Sequence, residues 1–297
     1  MKTKNVLVIG GSGFLGSHMA DKLQEHGHNV TIFDHKESPY RNEGQKLIIG
    51  DIMSVDDLRS AMENIDTVYH MAGIADIDEC YQNPTQTMEF NIVGTARVLE
   101  ACVESSIEKF VFSSTAYVYS DRGSFYRVSK QACESLIEEY NKKHGLKYVI
   151  LRYGSLYGER SDSRNSIYRF LYSAIKHNKL SYGGSGEERR EFIHVLDGAE
   201  LGVKILEEKF DNDVILLTGT RTVKYIELLE IIKEILGNTA EIELLNKTNN
   251  NHYMMSPYSY KPNVCRKLSG DYQIDFGQGL LSLIEDIHQK MNDGELE

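Results

Sequence analysis

The chain has 297 residues, 41 % hydrophobic and 26 % charged, with a formal net charge of −11. That length holds one large α/β unit, or a large unit with a smaller partner. The acidic balance excludes nucleic acid as a main partner, because binding a phosphate backbone needs a basic face; a phosphorylated small molecule needs only a local cluster of donors and stays open.

Taken in chain order, the apolar run Val6–Ile9 predicts a strand buried on both faces of a parallel sheet. It is too short for a signal-peptide core, and no stretch approaches the ~20 apolar residues of a membrane span, so a cytoplasmic protein without membrane contact is expected. A glycine-rich turn follows, then a helix with Phe14, Leu15, Met19 and Leu23 at helical spacing. Strands are predicted at Val30–Phe33, closed by Asp34, at Leu47–Ile49, at Thr67–His70, at Lys109–Phe112 and at Tyr148–Leu151. Helices are predicted over Val55–Asn64, over one long stretch from Pro84 to Ser105, and over Tyr126–His144. This alternation implies an α/β fold with a doubly wound parallel sheet.

After Gly158 the rhythm breaks. A polar loop at 161–165 leads to a helix over 166–177, a glycine-rich turn at 183–186 and a short strand at Glu191–Val195. Helices are predicted over Val223–Leu236 and within Ile274–Asn292, with a polar loop at Asn246–Asn251. The expected division is a dinucleotide-binding domain over 1–158, with returns near 190–220, and a mostly substrate-binding cap over 159–297. The four cysteines (Cys80, Cys102, Cys133 and Cys265) include no C-x-x-C pair, so reduced thiols and no metal site are expected.

Gly10-x-x-Gly13-x-x-Gly16 closes a strand and opens a helix. Glycines there let the backbone approach a pyrophosphate, which the free N–H groups and dipole of the helix start stabilise. Asp34 ends the second strand, where a carboxylate accepts from a ribose diol and repels a 2′-phosphate; NAD is favoured over NADP. Asp51 and Ile52 fall where an adenine edge sits. Met71, Ala72 and Gly73 let the backbone pass under the cofactor, while His70 reads as a core histidine.

Tyr126 and Lys130 lie four residues apart and share a helix face. An ammonium at ~4 Å in an effective dielectric of ~20 attracts tyrosinate by about 4 kcal/mol, enough to bring a phenol from ~10 toward ~7. Such a phenol serves as general acid or base. Thr115, at a strand's C-terminal end, is placed to hydrogen-bond the reacting hydroxyl.

Together these motifs resemble the extended short-chain dehydrogenase/reductase family of NAD-dependent nucleotide-sugar epimerases and dehydratases. The likeness runs through Gly10–Gly16, Asp51-Ile52, His70–Gly73, Asn91–Thr95, Ser113–Tyr119, Tyr126-x-x-x-Lys130, Leu151–Gly158 and Arg190–His194. It implies a Rossmann-type sheet with a smaller C-terminal substrate domain and a catalytic set of Thr115, Tyr126 and Lys130. Phe14, Leu15, Asn91 and Lys130 would join the cofactor site, Asn91 as a support of the active site. Arg190 would hold the substrate diphosphate, and Thr115 and Ser155 would touch substrate. The partner implied is a nucleotide-diphosphate sugar, and subunits would pair as a homodimer or homotetramer through helices 84–105 and 126–144.

Three departures from the family pattern stand out. Ala116-Tyr117 replaces the Asp-Glu that eliminates water in 4,6-dehydratases, so dehydration is not expected. Ser155 replaces an asparagine. Only residues 116–125 separate Thr115 from Tyr126, about half the usual family loop; ten residues still span ~35 Å, so two placements stay open, Tyr126 at the nicotinamide or Tyr126 starting its helix out of register and away from it. The expected reaction is oxidation of a nucleotide-sugar hydroxyl at C4, by a 4-dehydrogenase or 4-epimerase, with the short loop tilting toward the dehydrogenase; GDP-heptose or a hexose of surface polysaccharides would suit it. The alternative is a non-catalytic dinucleotide-binding sensor or partner subunit.

Overall fold

The computed structural model describes residues 2–245, 266–270 and 274–294. The first strand, β1 (Asn5–Ile9), enters a glycine turn and α1 (Phe14–Glu25). Then follow β2 (Asn29–Asp34), β3 (Lys46–Ile49), α2 (Val55–Ala61), β4 (Thr67–His70) and α3 (Ile77–Gln82). Next come α4 (Pro84–Met88), a π turn over Glu89–Val93, α5 (Gly94–Glu104) and β5 (Lys109–Thr115). A 3-10 turn at Ala116–Tyr119 precedes α6 (Ser124–His144), β6 (Lys147–Tyr153) and β7 (Ser155–Tyr157). The remainder is α7 (Ser166–His177), β8 (Lys179–Tyr182), β9 (Arg189–Arg190), β10 (Phe192–His194), α8 (Val195–Lys204), β11 (Asp213–Leu217), β12 (Val223–Lys224), α9 (Tyr225–Ile235), β13 (Glu241–Leu244), β14 (Arg266–Lys267) and α10 (Phe276–Asn292).

Eight strands form one sheet in the order β14-β11-β6-β5-β4-β1-β2-β3. Every pairing in it is parallel. The order reverses at β1, between β2 and β4, and the crevice above such a reversal is where open α/β sheets bind ligands. Val6, Leu7, Val8 and Ile9 are fully buried, as a strand covered by helices on both faces requires. One apolar cluster, with Met19, Leu23, Tyr69 and Ala199, fills one face of the sheet; a second, with Leu58, Leu99, Phe110 and Ile137, fills the other. A third gathers Tyr157, Leu171, Phe192, Leu229 and Leu283 from α7, α9, α10 and the short strands of the second half.

The single long helix predicted over 84–105 is divided. The Asn91 carbonyl accepts from Thr95 Oγ1 at 2.6 Å and from Cys133 Sγ at 3.1 Å, and these side-chain donors accompany the wide turn at 89–93. The helix predicted from Val223 starts two residues later, because Val223 and Lys224 pair with Arg190 and Arg189. The loop predicted at Asn246–Asn251, and Cys265, lie outside the described residues. Cys80, Cys102 and Cys133 are buried free thiols. Among the described residues no helix is long and apolar enough to cross a membrane.

Candidate active site

Gly10 sits at φ +82°, and a Cβ there would lie 2.6 Å from the Ala72 nitrogen, so only glycine lets the turn after β1 touch the end of β4. Gly13 caps α1 in extended conformation, and Gly16 is buried in its first turn. Asp34 is 7 % exposed and accepts from the Ser12 amide at 3.0 Å, which ties the end of β2 to the glycine turn. Its other oxygen faces His35 Nδ1 at 3.0 Å.

A cavity of about 660 Å³ opens along these edges. Phe33, Asp34, Asp51 and Ile52 wall one end, Gly10 and Gly13 the floor, and Met71, Ala72, Gly73 and Ile74 the other. This is the span and chemistry of a dinucleotide seat: a diol-accepting carboxylate, bare glycine backbone at a helix start, and small residues beyond. Phe14 and Leu15 do not line it. Phe14 meets His18 edge-on at 6.1 Å and Leu15 faces the apolar core, so their route to a cofactor is backbone only.

Asn91 is likewise spent within the protein. Its Oδ1 accepts from the Ile74 amide at 2.8 Å, and its Nδ2 donates to the Ile74 carbonyl at 2.9 Å and to Ser129 Oγ at 3.0 Å. It therefore locks the loop after β4 to α6, one residue before Lys130. His70 is 1 % exposed. Its Nε2 meets Thr95 Oγ1 at 3.0 Å, and since that hydroxyl donates to Asn91, Nε2 carries the proton. Burial lowers its pKa to about 3, as befits a neutral core histidine.

Of the two placements open to Tyr126, the structure has the one in register: Thr115 acts on its phenol as a hydrogen-bonding partner. Ten residues suffice because the loop is strapped down. Gln131 Nε2 donates to the Val118 carbonyl at 3.0 Å and Arg127 to the Ser120 carbonyl at 2.9 Å. Gly123, at φ +98°, turns the chain into α6 where a Cβ would strike the Tyr117 ring.

Another expectation changes. Lys130 Nζ donates to the Ser113 carbonyl at 2.8 Å and lies 4.6 Å above the Phe112 ring, but 5.9 Å from the centre of the Tyr126 ring. The Tyr126 phenol is pushed up by burial, with the Thr115 hydrogen bond opposing, rather than brought down by Lys130. Burial lowers Lys130 in turn. The phenol is thus held as a neutral acid, and an added positive charge beside it is what would lower it.

Arg190 is 2 % exposed; its NH1 donates to the Arg189 carbonyl at 2.8 Å and its guanidinium lies 5.4 Å from the Tyr225 ring centre. Ser155 starts β7, opposite Phe192. The sequence reading missed Ser12, Ser129, Arg127 and Gln131, which act through backbone or at a distance and leave no motif. Arg152, a charge inside an apolar strand, was the one visible signal.

The NAD dependent epimerase/dehydratase family model matches residues 6–217. The chain belongs to this family. A putative UDP-glucose 4-epimerase of Methanocaldococcus jannaschii is 30 % identical over 257 residues, covering 80 % of this chain and 84 % of that one. The structure of a UDP-N-acetylglucosamine 4-epimerase from Methanobrevibacter ruminantium, in complex with UDP-N-acetylmuramic acid, superposes with a TM-score of 0.85 at 26 % identity, over 98 % of this chain and 100 % of that one. A Bacillus cereus UDP-glucuronic acid 4-epimerase with UDP-glucuronic acid and NAD gives 0.83 at 25 % identity, over 96 % and 99 %. The chain is an NAD-dependent enzyme of this family, and its glycine turn, Asp34 and cavity fit that cofactor.

Proposed function

We propose that this chain is a 4-epimerase of a UDP-hexose or UDP-N-acetylhexosamine. The observation that carries the reading is the pairing of the Tyr126 phenol with Thr115, one helical turn from Lys130, whose Nζ lies beside Gly73 of the cofactor cavity. NAD, when bound, accepts hydride from the carbinol carbon and supplies positive charge next to the phenol. Tyr126 Oη takes the C4 hydroxyl proton, and Thr115 orients that hydroxyl. Lys130 holds a positive charge near the phenol. Arg190 grips the diphosphate through its planar guanidinium. Tyr126 would return the proton to the C4 oxygen once the keto sugar has turned its other face to the cofactor, giving the epimer.

The relatives named above are described with UDP sugars, which supports uracil as the base; the GDP-heptose expectation has no counterpart among them. Tyr126 beside Thr115 counts against the non-catalytic sensor and leaves the 4-dehydrogenase as the second reading. What still favours that second reading is the short cover of residues 116–125, which leaves a ketone less enclosed. We further propose a homodimer through α6 and the π turn that leads into α5, where Val128 and Val93 are 41 % and 43 % exposed. The test of the reaction is incubation of the holoenzyme with UDP-glucose and with UDP-N-acetylglucosamine. Equilibration with the C4 epimer is expected; accumulation of free 4-ketone favours the dehydrogenase, and neither product defeats both readings.

A further inference from the structure

Three side chains behind the site are engaged by none of the steps above. Ser114 and Arg152 are register partners on the adjoining strands β5 and β6, and both converge on Glu134 of α6. Ser114 Oγ donates to Glu134 Oε1 at 2.5 Å. Arg152 grips the same carboxylate with two bonds, Nε to Oε1 at 3.0 Å and NH2 to Oε2 at 2.6 Å. Its remaining NH1 donates to the Tyr119 hydroxyl at 2.7 Å. Ser114 is 3 % and Glu134 7 % exposed, so these are charge-assisted bonds away from water.

We propose that Glu134, held by Arg152, is the positioning residue that fixes the register of α6 against β5, with Ser114 as its contact. Tyr126, Lys130 and Glu134 recur at four-residue spacing and form one stripe on α6. That stripe meets three successive residues of β5: Lys130 reaches the Ser113 carbonyl, Glu134 the Ser114 hydroxyl and Tyr126 the Thr115 hydroxyl. A slip of one residue would move the helix ~1.5 Å and turn the stripe by ~100°. The bonds from Gln131 and Arg127 tie the short loop to the helix, but not the helix to the strand. Of the ties to the strand, those of Lys130 and Tyr126 belong to groups the chemistry must leave free to act. The Ser114–Glu134 bond belongs to neither. Arg152 extends the anchor to Tyr119, the last residue of the turn at Ala116–Tyr119. The network thereby stands in for the longer loop that would otherwise cover and steady this edge.

This inference rests on Tyr126 as the acid/base, and the first readout of its test needs no substrate. The ionisation of Tyr126 in the NAD-loaded enzyme is read as tyrosinate absorbance after subtracting the Tyr126→Phe holoenzyme, which removes the other tyrosines. Ser114→Ala keeps the Glu134–Arg152 pair and so keeps the fold. It is expected to raise the Tyr126 midpoint by about one pH unit, the worth of one lost hydrogen bond. Turnover should fall on the order of 10- to 100-fold with KM and bound NAD unchanged. Ser114→Thr, which keeps the hydroxyl, should restore both. A parent without nucleotide-sugar turnover that still shows the midpoint shift would defeat the proposed reaction and keep the positioning role. A Ser114→Ala enzyme with the parent midpoint, whether fully active or merely less stable, overturns the proposal.

Discussion

Asp34 and Ser12 join the two halves of the cofactor seat: the Asp34 carboxylate accepts from the Ser12 amide at 3.0 Å, and so the group that would grip a ribose also shapes the glycine turn beneath a pyrophosphate. Replacing Asp34 by Asn keeps the shape and removes the charge. NAD affinity should fall roughly 10- to 100-fold, the range of a charge-assisted hydrogen bond, and NADP should gain relative to NAD because the repulsion of its 2′-phosphate is gone. Binding titrations of the two reduced cofactors by fluorescence measure both, and an unchanged NAD to NADP ratio would count against the assignment.

Lys130 touches the site from the Ser113 carbonyl rather than from the phenol. Its charge acts on Tyr126 at some distance, so Lys130→Met is expected to lower hydride transfer by about 100-fold or more. Single-turnover reduction of bound NAD is the measurement. A loss under threefold with NAD still bound would show that the charge is not used.

Stability should carry its own pH signature. His18 is 4 % exposed, with Nε2 3.0 Å from the Glu159 carbonyl, so that nitrogen carries a proton. Burial lowers its pKa from 6.5 to about 4. The unfolded chain then binds the proton more tightly. The stability contributed by neutral His18 is complete above pH 6.5 and is lost as pH falls toward 4. The loss is on the order of 3 kcal/mol. Urea midpoints of the parent should drop across that window, and those of His18→Gln should drop less. Parallel curves would contradict this source of acid lability.

Much of this architecture is legible in the chain, for physical reasons that differ by element. Val6–Ile9, the glycine turn and Asp34 are local signals, each fixed by what its own backbone must do. The strands at 179–182 and 241–244 pair in parallel although some sixty residues separate them, and no periodicity of four-residue segments announces that. The helix Ile77–Gln82 was not predicted, since one turn and a half holds no repeat; its Asp76 cap, accepting from the Glu79 amide at 2.8 Å, was the available sign. The placement of Tyr126 stays open in the sequence because loop length sets reach but not register. The contact of its phenol with Thr115 joins residues in different elements. The same holds for its pKa: the pair at positions 126 and 130 is visible, but burial and the pull of the Ser113 carbonyl on Lys130 are tertiary.

Val93→Glu together with Val128→Glu should convert the proposed dimer to monomer by placing charges on apolar contact surface. Sedimentation of parent and double variant at equal concentration decides it, and a parent that is already monomeric removes the interface from the account.

In the proposed reaction Tyr126 passes the proton while hydride leaves C4 of a nucleotide sugar for the nicotinamide. Rapid mixing of the NAD-loaded enzyme with UDP-glucose or UDP-N-acetylglucosamine, followed by the absorbance of reduced nicotinamide, tests it in one turnover. Transient reduction is expected in the parent, about 1000-fold slower in Tyr126→Phe. Reduction at equal rates in both, or none in the parent with either sugar, would contradict it.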